Sequence, residues 1–293
     1  MRYFFEYCFF LILKLLMGLL PFKAGCRLAR QLGEMVFYLW PSRRKIALRN
    51  LDRAYQDRLS QTQKKMIARK SFGHGAMSIY ELFSISKILP KLETFFQFRG
   101  FEHIEKAQSK GKGVILVISH VGAWEYLSFL TNLKGVKGGM VVKKIKNPWI
   151  DREVWRCRSL TQATPILKDN SMKTVLARLK KNHVIAVLID QWDGPDGLWV
   201  DFFGEKTSTT SIPSRLARKT GASLLPVFCV RRGIGDYEIT IHEEVILPMG
   251  DNWETETTIR LNRILEEQIR ECPDQWNWGH RRWKPEPSSY RMK

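Results

Sequence analysis

The stretch Ile115-Leu-Val-Ile-Ser-His120-Val-Gly-Ala-Trp-Glu125 has the pattern of a buried strand, a tight turn and a helix start. Four apolar and mostly β-branched residues lead into Ser119 and His120, and a glycine follows. From Trp124 onward the apolar residues have helical spacing. In open α/β sheets, ligands bind at the carboxyl ends of the strands. The pattern therefore predicts His120 at the edge of a binding site.

The spacing between His120 and Glu125 favours a catalytic pair. Five positions along one continuous helix would separate the two side chains by about 140°. With His120 in the turn and Glu125 in the first helical turn, they can face each other. A carboxylate that holds an imidazole in one tautomer makes the imidazole a better general base. The alternative is a capping histidine beside a solvated glutamate, and the spacing alone does not decide between the two.

Strand and helix patterns alternate after about residue 112, which predicts an α/β fold. The expected architecture is a mixed, mostly parallel sheet covered by helices. A capping box at Ser60–Gln63 predicts a helix before this region, running toward Leu82. The predicted strands are 113–118, 139–142, 184–189, 223–230 and 237–241, and helices are predicted over 171–180 and 254–271.

The formal charge of +19 indicates an anionic partner, such as a membrane surface, an acidic carrier or substrate, or a nucleic acid. The five cysteines form no C-x-x-C pair, and the six histidines are dispersed. Reduced thiols and no metal site are therefore expected. No helix-turn-helix, zinc-finger or aromatic RNA-binding signature is present, so we expect no nucleic-acid partner. The tail Trp276–Lys284 interleaves indoles with cations, as in cation–π clusters or an interfacial aromatic belt.

Residues 3–22 form an apolar block that is interrupted only by Glu6 and Lys14. Its length is marginal for a membrane span. Two forms of membrane attachment are open: a single transmembrane anchor, or a helix that lies in the interface. The basic residues that follow would keep a spanning protein's remaining chain in the cytoplasm. We accordingly predict a membrane-anchoring helix over 1–25, a helical membrane-proximal region over 26–110, and an α/β catalytic region over 111–293 that forms one domain with 26–110.

Several blocks, in order along nearly the whole chain, resemble the bacterial lysophospholipid acyltransferase superfamily. They are most similar to its lipid A late (lauroyl/myristoyl) acyltransferase branch. The similar blocks are His120-Val-Gly-Ala-Trp-Glu125, Val142–Pro148, Asp190-Gln-Trp-Asp-Gly, Val200–Thr210, Leu216–Val227 and Trp278–Lys284. Lys143 stands where the resemblance leads one to expect arginine, which keeps the charge but loses bidentate geometry.

The resemblance implies transfer of an acyl chain from an acyl carrier protein thioester to a hydroxyl of a glycolipid, at the cytoplasmic face of the bacterial inner membrane. The implied partners are the carrier protein, an anionic lipid A precursor and the membrane, and no cofactor is implied. His120 would act as general base with Glu125 orienting it. Backbone amides at Gly122–Trp124 are candidate oxyanion donors, with Lys143 as a weaker one.

The remaining candidate substrate-binding residues each have a structural alternative. Asp190 and Gln191 end a strand, where they could line the site or cap a turn. Thr209 and Thr210 could bind phosphate or cap a helix before Pro213, and Arg218 could bind phosphate or be a surface cation. Asn147 lies in the block Val142–Pro148, which resembles the family's basic Asn-Pro block. A run of basic residues around it could dock an acidic carrier protein or lipid phosphates, or could simply be solvated. This run comprises Lys143, Lys144, Lys146, Arg152, Arg156 and Arg158.

Three alternatives to this function stay open. The acceptor could be another glycolipid or a lysophospholipid. The same base could serve a hydrolase if water replaced the acceptor. The chain could also be a non-catalytic basic protein that binds membranes.

Overall fold

A computed structural model describes residues 1–168 and 171–285, and it is built around a seven-stranded sheet. The strand order is β1-β9-β8-β2-β5-β3-β4, with β1 parallel to β9 and only the β8–β9 pair antiparallel. This is the predicted mixed, mostly parallel sheet. Its strands are β1 (Phe96–Arg99), β2 (Val114–Ile118), β3 (Gly138–Val142), β4 (Thr164–Leu167), β5 (Val184–Leu188), β8 (Ser223–Gly233) and β9 (Asp236–Ile241).

Two further strands form a separate antiparallel hairpin, β6 (Leu198–Phe202) and β7 (Glu205–Thr209). The sequence did not predict this hairpin, nor β1 and β4. Strands β1 and β4 have only four residues, and β6 and β7 carry charged residues within their five. Such short patterns are hard to distinguish from loops.

Both faces of the sheet are buried, which explains the continuous apolar run of β2. Ile115 and Val117 belong to one core cluster, and Val114, Leu116 and Ile118 belong to the other. A parallel strand covered on both faces is apolar throughout rather than alternating. The helices that cover the sheet after β1 are α6 (Phe101–Ser109), α7 (Leu130–Lys134), α8 (Pro148–Arg158), α9 (Ser171–Lys180), α10 (Ile212–Thr220) and α11 (Trp253–Glu271).

The N-terminal third of the chain is helical, with α1 (Arg2–Gly18), α2 (Phe22–Leu39), α3 (Pro41–Tyr55), α4 (Gln61–Phe83) and α5 (Ile85–Ile88). The predicted capping box opens α4: Ser60 accepts from the Gln63 amide, and the Gln63 side chain accepts from the Ser60 amide. Pro41 separates α2 from α3 because its ring cannot continue a helix but fits a first turn.

The predicted transmembrane anchor is not supported. Within the described part of the chain, every helix is too short or too polar to cross a bilayer. Helix α1 has 17 residues and presents exposed apolar side chains, among them Phe5, Phe9 and Leu15. The other predicted form of attachment, a helix in the membrane interface, stays a prediction. The predicted division at residues 25 and 110 is also untested, and residues 286–293 of its last region lie outside the described residues.

Candidate active site

The turn after β2 places His120 at the carboxyl edge of the sheet. Gly122 turns the chain with a φ of 60°, and the following segment Trp124–Phe129 is a 3₁₀ helix rather than the predicted α-helix. The Gly122 amide donates to the Gln275 carbonyl at 3.0 Å, and the Ala123 amide donates to the Cys229 carbonyl at 2.8 Å. These two amides are therefore already satisfied. Their hydrogen bonds within the fold favour the Trp124 amide as the oxyanion donor of that set, and the role of these amides stays a prediction.

Replacing Gly122 by alanine is expected to destabilise the protein strongly. An L-residue in the left-handed region costs about 1–2 kcal/mol, and a Cβ here would lie 2.1 Å from the Cys229 carbonyl oxygen. Gly204→Ala is a matched control, because Gly204 has a φ of 79° and nothing within 4 Å of its added Cβ. Urea unfolding of both variants should show the larger loss for Gly122→Ala. Equal losses would mean that the turn relaxes without cost.

The hydrogen-bond partner of His120 is Asp190, at the end of β5. His120 Nδ1 lies 2.8 Å from Asp190 Oδ1, and the His120 amide donates to Asp190 Oδ2 at 3.0 Å. The indole of Trp276 also donates to Asp190 Oδ2, at 2.9 Å. An ionised carboxylate only accepts, so Nδ1 carries the proton and Nε2 keeps a free lone pair. This is the tautomer that a general base needs.

Electrostatics keep the Asp190 carboxylate ionised beside His120. Burial alone lowers the pKa of His120, but attraction to Asp190 and the hydrogen bond with it outweigh burial, so the pKa of His120 is raised. Burial also acts to raise the pKa of Asp190. Its charge and hydrogen-bond interactions with His120, together with the Trp276 donor, prevail and hold that pKa well below its ordinary value. Asp190 is therefore ionised at neutral pH.

Glu125, predicted to orient His120, has a different partner. Its carboxylate accepts two hydrogen bonds from Arg158, at 3.0 Å from Nε and 2.6 Å from Nη2. Among the described residues, no hydrogen bond joins Glu125 to His120. The 3₁₀ conformation of the segment points Glu125 toward α8, where Arg158 ends the helix. Arg158 was predicted only as a member of a basic run.

A cavity of about 540 Å³ opens beside His120, a size typical of small-molecule sites. It lies across the carboxyl ends of β2, β3 and β5, as expected for an α/β sheet. Polar side chains at the cavity include His120, Glu125, Lys143, Arg158 and Gln191. The rest of its wall is mostly apolar: Ile118, Trp124, Met140, Val141, Val142, Met172, Val175, Val187, Leu188, Trp192, Ile212 and Leu216.

Four of the predicted substrate-binding residues line this cavity together with His120: Trp124, Lys143, Gln191 and Thr210. Asp190 contacts His120 from outside the cavity lining. Gln191 Nε2 lies 3.4 Å from His120 Nε2, beside the free lone pair of the imidazole. Trp124 packs edge-on against the His120 ring, with ring centroids 5.0 Å apart. Their role in binding stays a prediction, but their position agrees with it.

The structure places Asn147, Thr209 and Arg218 outside the cavity lining. Asn147 is buried, caps α8 and donates to the Tyr3 carbonyl of α1. Thr209 is fully buried and accepts from Arg282. Arg218 lies over the ring of Trp253 on the surface. Each has a structural role at its position, and a role of these three residues in substrate binding stays a prediction. The Asn-Pro pair at 147–148 is itself a helix-start signal.

The aromatic tail lies in the protein core. Trp276 and Trp278 are buried, with ring centroids 4.6 Å apart at 87°, and Trp283 packs in the same cluster. Of the two predicted arrangements, burial argues against an interfacial aromatic belt, and cation–π contacts are present, with Arg282 over Phe202 and Lys284 over Trp192. The contact of Trp276 with Asp190 was not predicted, because interleaved indoles and cations have the same composition in a core and on a surface.

The chain is similar to known acyltransferases of lipid A biosynthesis and of phosphatidylinositol mannosides. The chain is 29% identical to a lipid A biosynthesis lauroyltransferase of Escherichia coli, over 92% of this chain and 88% of that protein. It is 26% identical to a lipid A biosynthesis palmitoleoyltransferase of the same organism, over 92% of this chain and 87% of that one. A phosphatidylinositol mannoside acyltransferase of Mycolicibacterium smegmatis is 25% identical over 62% of this chain and 60% of its own length.

The sequence model of a single family spans nearly the whole chain. It matches residues 1–285, and its family is described as bacterial lipid A biosynthesis acyltransferase. The chain therefore belongs to the bacterial lipid A biosynthesis acyltransferase family.

Proposed function

We propose that this acyltransferase moves a fatty acyl chain from an acyl carrier protein thioester to a hydroxyl of a lipid A precursor. The observation that carries the proposal is the His120–Asp190 pair at the edge of a mostly apolar cavity. The cavity offers room and an apolar wall for an acyl chain, and the pair offers a base for an alcohol.

The reaction follows from the free Nε2 of His120. Nε2 takes the proton of the acceptor hydroxyl as its oxygen attacks the thioester carbonyl. The tetrahedral intermediate then collapses, the carbon–sulfur bond breaks, and the sulfur leaves with the proton from His120. Asp190 holds the imidazole in the required tautomer and stabilises the imidazolium that forms transiently. The Glu125–Arg158 pair forms part of the cavity wall and keeps a fixed cation near the reacting atoms.

The acyl donor is proposed to dock on the basic run beside the cavity. Lys143, Lys144 and Lys146 are exposed after β3, and Arg152 and Arg156 are exposed on α8. Acyl carrier proteins are acidic, so a basic surface next to the cavity mouth would steer and orient the donor. The formal charge of +19 is consistent with such a partner.

The acceptor is proposed to arrive from the cytoplasmic face of the bacterial inner membrane. The exposed apolar side chains of α1 include Phe4, Phe5 and Phe9, and those of α2 include Met35 and Leu39. Exposed apolar patches of this kind are typical of membrane or protein contacts. A helix that lies in the interface needs no membrane span, in agreement with the length of α1.

A second acceptor class has specific support. The similarity to a phosphatidylinositol mannoside acyltransferase keeps another glycolipid open as the acceptor. Membership in an acyltransferase family argues against a non-catalytic basic protein. A hydrolase would differ only in using water at the same base.

The test is a transfer assay with the full chain in detergent, read by mass spectrometry. The donors are acyl carrier protein and coenzyme A thioesters, and the acceptors are a Kdo-bearing lipid A precursor, a phosphatidylinositol mannoside and a lysophospholipid. The expected result is a gain of one acyl chain on the lipid A precursor, with the carrier protein donor preferred. Transfer only to another acceptor, or acyl release without any acceptor, would overturn the proposal.

The pH dependence of transfer should report the raised pKa of His120. A general base works in its neutral form, and Asp190 raises the pKa of His120 above its ordinary value. We therefore expect kcat/KM to increase with pH and to level off only above that raised pKa, at higher pH than for a free imidazole at about 6.5. A profile that levels off below about pH 6.5 would contradict the His120–Asp190 assignment.

A further inference from the structure

The segment that follows α11 returns to the active site from the far end of the chain. Its main chain forms an isolated antiparallel bridge between Trp276 and Val121, one residue after His120. The Gln275 carbonyl accepts from the Gly122 amide at 3.0 Å. Gln275 and Trp276 therefore contact the turn that carries His120. The Trp276 indole also contacts the Asp190 carboxylate, which orients His120.

Trp276 is the second side chain that holds Asp190. Asp190 is almost fully buried, and its two oxygens accept from His120 Nδ1, the His120 amide and Trp276 Nε1. Among the described residues, no other hydrogen bond reaches this carboxylate. Without the indole donor, Asp190 Oδ2 would accept only from the His120 amide. The plane of the carboxylate would then be held by one hydrogen bond fewer.

Gln275 anchors this segment to the sheet. Its side-chain oxygen accepts from the Arg231 amide at 3.0 Å, and its side-chain nitrogen donates to the Arg231 carbonyl at 2.9 Å. Arg231 itself is buried and forms an ion pair with Glu81 of α4. The Arg231 guanidinium also donates a hydrogen bond to the Ser78 hydroxyl. This hydroxyl donates in turn to the Gly122 carbonyl at 3.2 Å. The Gly122 turn is thus held by two hydrogen bonds, one from its amide to Gln275 and one from Ser78 to its carbonyl.

We infer that Trp276 is a positioning residue for the reaction, and that Gln275 holds it in place. The indole N–H fixes the Asp190 carboxylate so that it presents one oxygen to His120. This inference rests on the proposed role of His120 as general base. It assigns a catalytic support role to a tryptophan whose ring is otherwise part of an aromatic core cluster.

The chain offers a matched control for the experiment. Trp278 is buried in the same cluster, and its indole donates to the Pro273 carbonyl at 2.6 Å, away from Asp190. Trp276→Phe and Trp278→Phe both remove an indole N–H and similar volume. Their difference therefore isolates the contact with Asp190 from the general cost of altering the core.

We expect Trp276→Phe to lower kcat by roughly 10–100-fold with little change in either KM, as for loss of a hydrogen bond to a charged group. The acid limb of kcat/KM should move to higher pH. A carboxylate with fewer donors attracts the imidazolium more strongly, so less neutral His120 is present at a given pH. The other charged or titratable groups near the pair are Glu125, Arg158, His280 and Arg282, and both variants leave them in place. Trp278→Phe should keep the wild-type kcat and pH profile.

A second measurement does not depend on turnover. The imidazole nitrogens of His120 can be titrated by NMR in selectively labelled protein, with His120→Ala to assign the signal. Trp276→Phe should raise the midpoint of this titration, and Trp278→Phe should leave it unchanged. Identical titrations and identical kcat in the two variants would overturn the inference. Transfer that survives in His120→Ala would instead overturn the proposed role of His120 as general base, while the titration would still test the contact.

Discussion

Replacement of His120 by alanine is expected to lower kcat for acyl transfer by about 10²–10⁴-fold, the usual contribution of a general base. The variant keeps the cavity, the basic run and the Glu125–Arg158 pair, so KM for both substrates should change little. Asp190 then loses the partner that holds its pKa low and keeps only the Trp276 donor and one backbone amide. The unfolding midpoint should therefore be compared in parallel.

The measurement is the initial rate of mass gain on the glycolipid at saturating donor. His103→Ala is a suitable control, because His103 lies on α6 and is not among the residues that line the cavity. A His120→Ala protein that folds and transfers at the wild-type rate would eliminate the base mechanism.

Asp190→Asn is expected to lower kcat by roughly 10⁴-fold, the loss known when an asparagine replaces the aspartate of a Ser-His-Asp triad. An asparagine amide can donate to Nδ1, which stabilises the tautomer with the proton on Nε2 and removes the free lone pair. The substitution is nearly isosteric, so the fold should persist. The acid limb of kcat/KM should also move to lower pH, since the carboxylate no longer raises the pKa of His120.

The substitution Glu125→Gln distinguishes the role of the Glu125 carboxylate from that of the Asp190 carboxylate. It removes the charge that pairs with Arg158, whose side chain is only 17% exposed. Removal of one partner from a buried ion pair destabilises the fold, by up to about 3–5 kcal/mol where the pair is fully buried. We expect a lower unfolding midpoint and a smaller loss of kcat than in Asp190→Asn. The opposite result is that the acid limb of the pH profile, which reports His120, disappears in Glu125→Gln but not in Asp190→Asn. This result would support the sequence-based prediction that Glu125 orients His120.

The contrast between these two carboxylates shows where the sequence is informative. Both apolar runs that end at the site, 113–118 and 184–189, predict buried strands, and both strands are present. The sequence does not predict that these two strands pair, because two separate apolar runs carry no information about which strands are neighbours in the sheet. In the structure Ile118 pairs with Leu188, so that His120 and Asp190 lie at the same level two residues beyond the paired strands. Glu125 was the nearer choice along the chain, whereas the partner in space is 70 residues away.

Among the predicted site residues outside the cavity, Asn147 had a local explanation that the sequence already contained. Asn147 precedes a proline, as at many helix starts, and it caps α8. Thr209 ends a strand that was too short to predict, so its burial could not be inferred. Trp276 had no local signal at all, because its contact with Asp190 depends on the path of the chain after α11.

The position of Trp276 after all the described strands and α11 has a consequence for the order in which the site forms during translation. Strand β1 cannot pair until β9 has been translated, which happens much later. The Asp190 carboxylate cannot form its hydrogen bond with Trp276 until that residue, which follows β9, has been translated. Nascent chains fold from the N-terminus, and contacts between distant segments form last. An incomplete chain would already carry α1 and its apolar surface, but not a fixed base. Full acyl transfer should therefore begin only after Trp276 has been translated and has packed against Asp190.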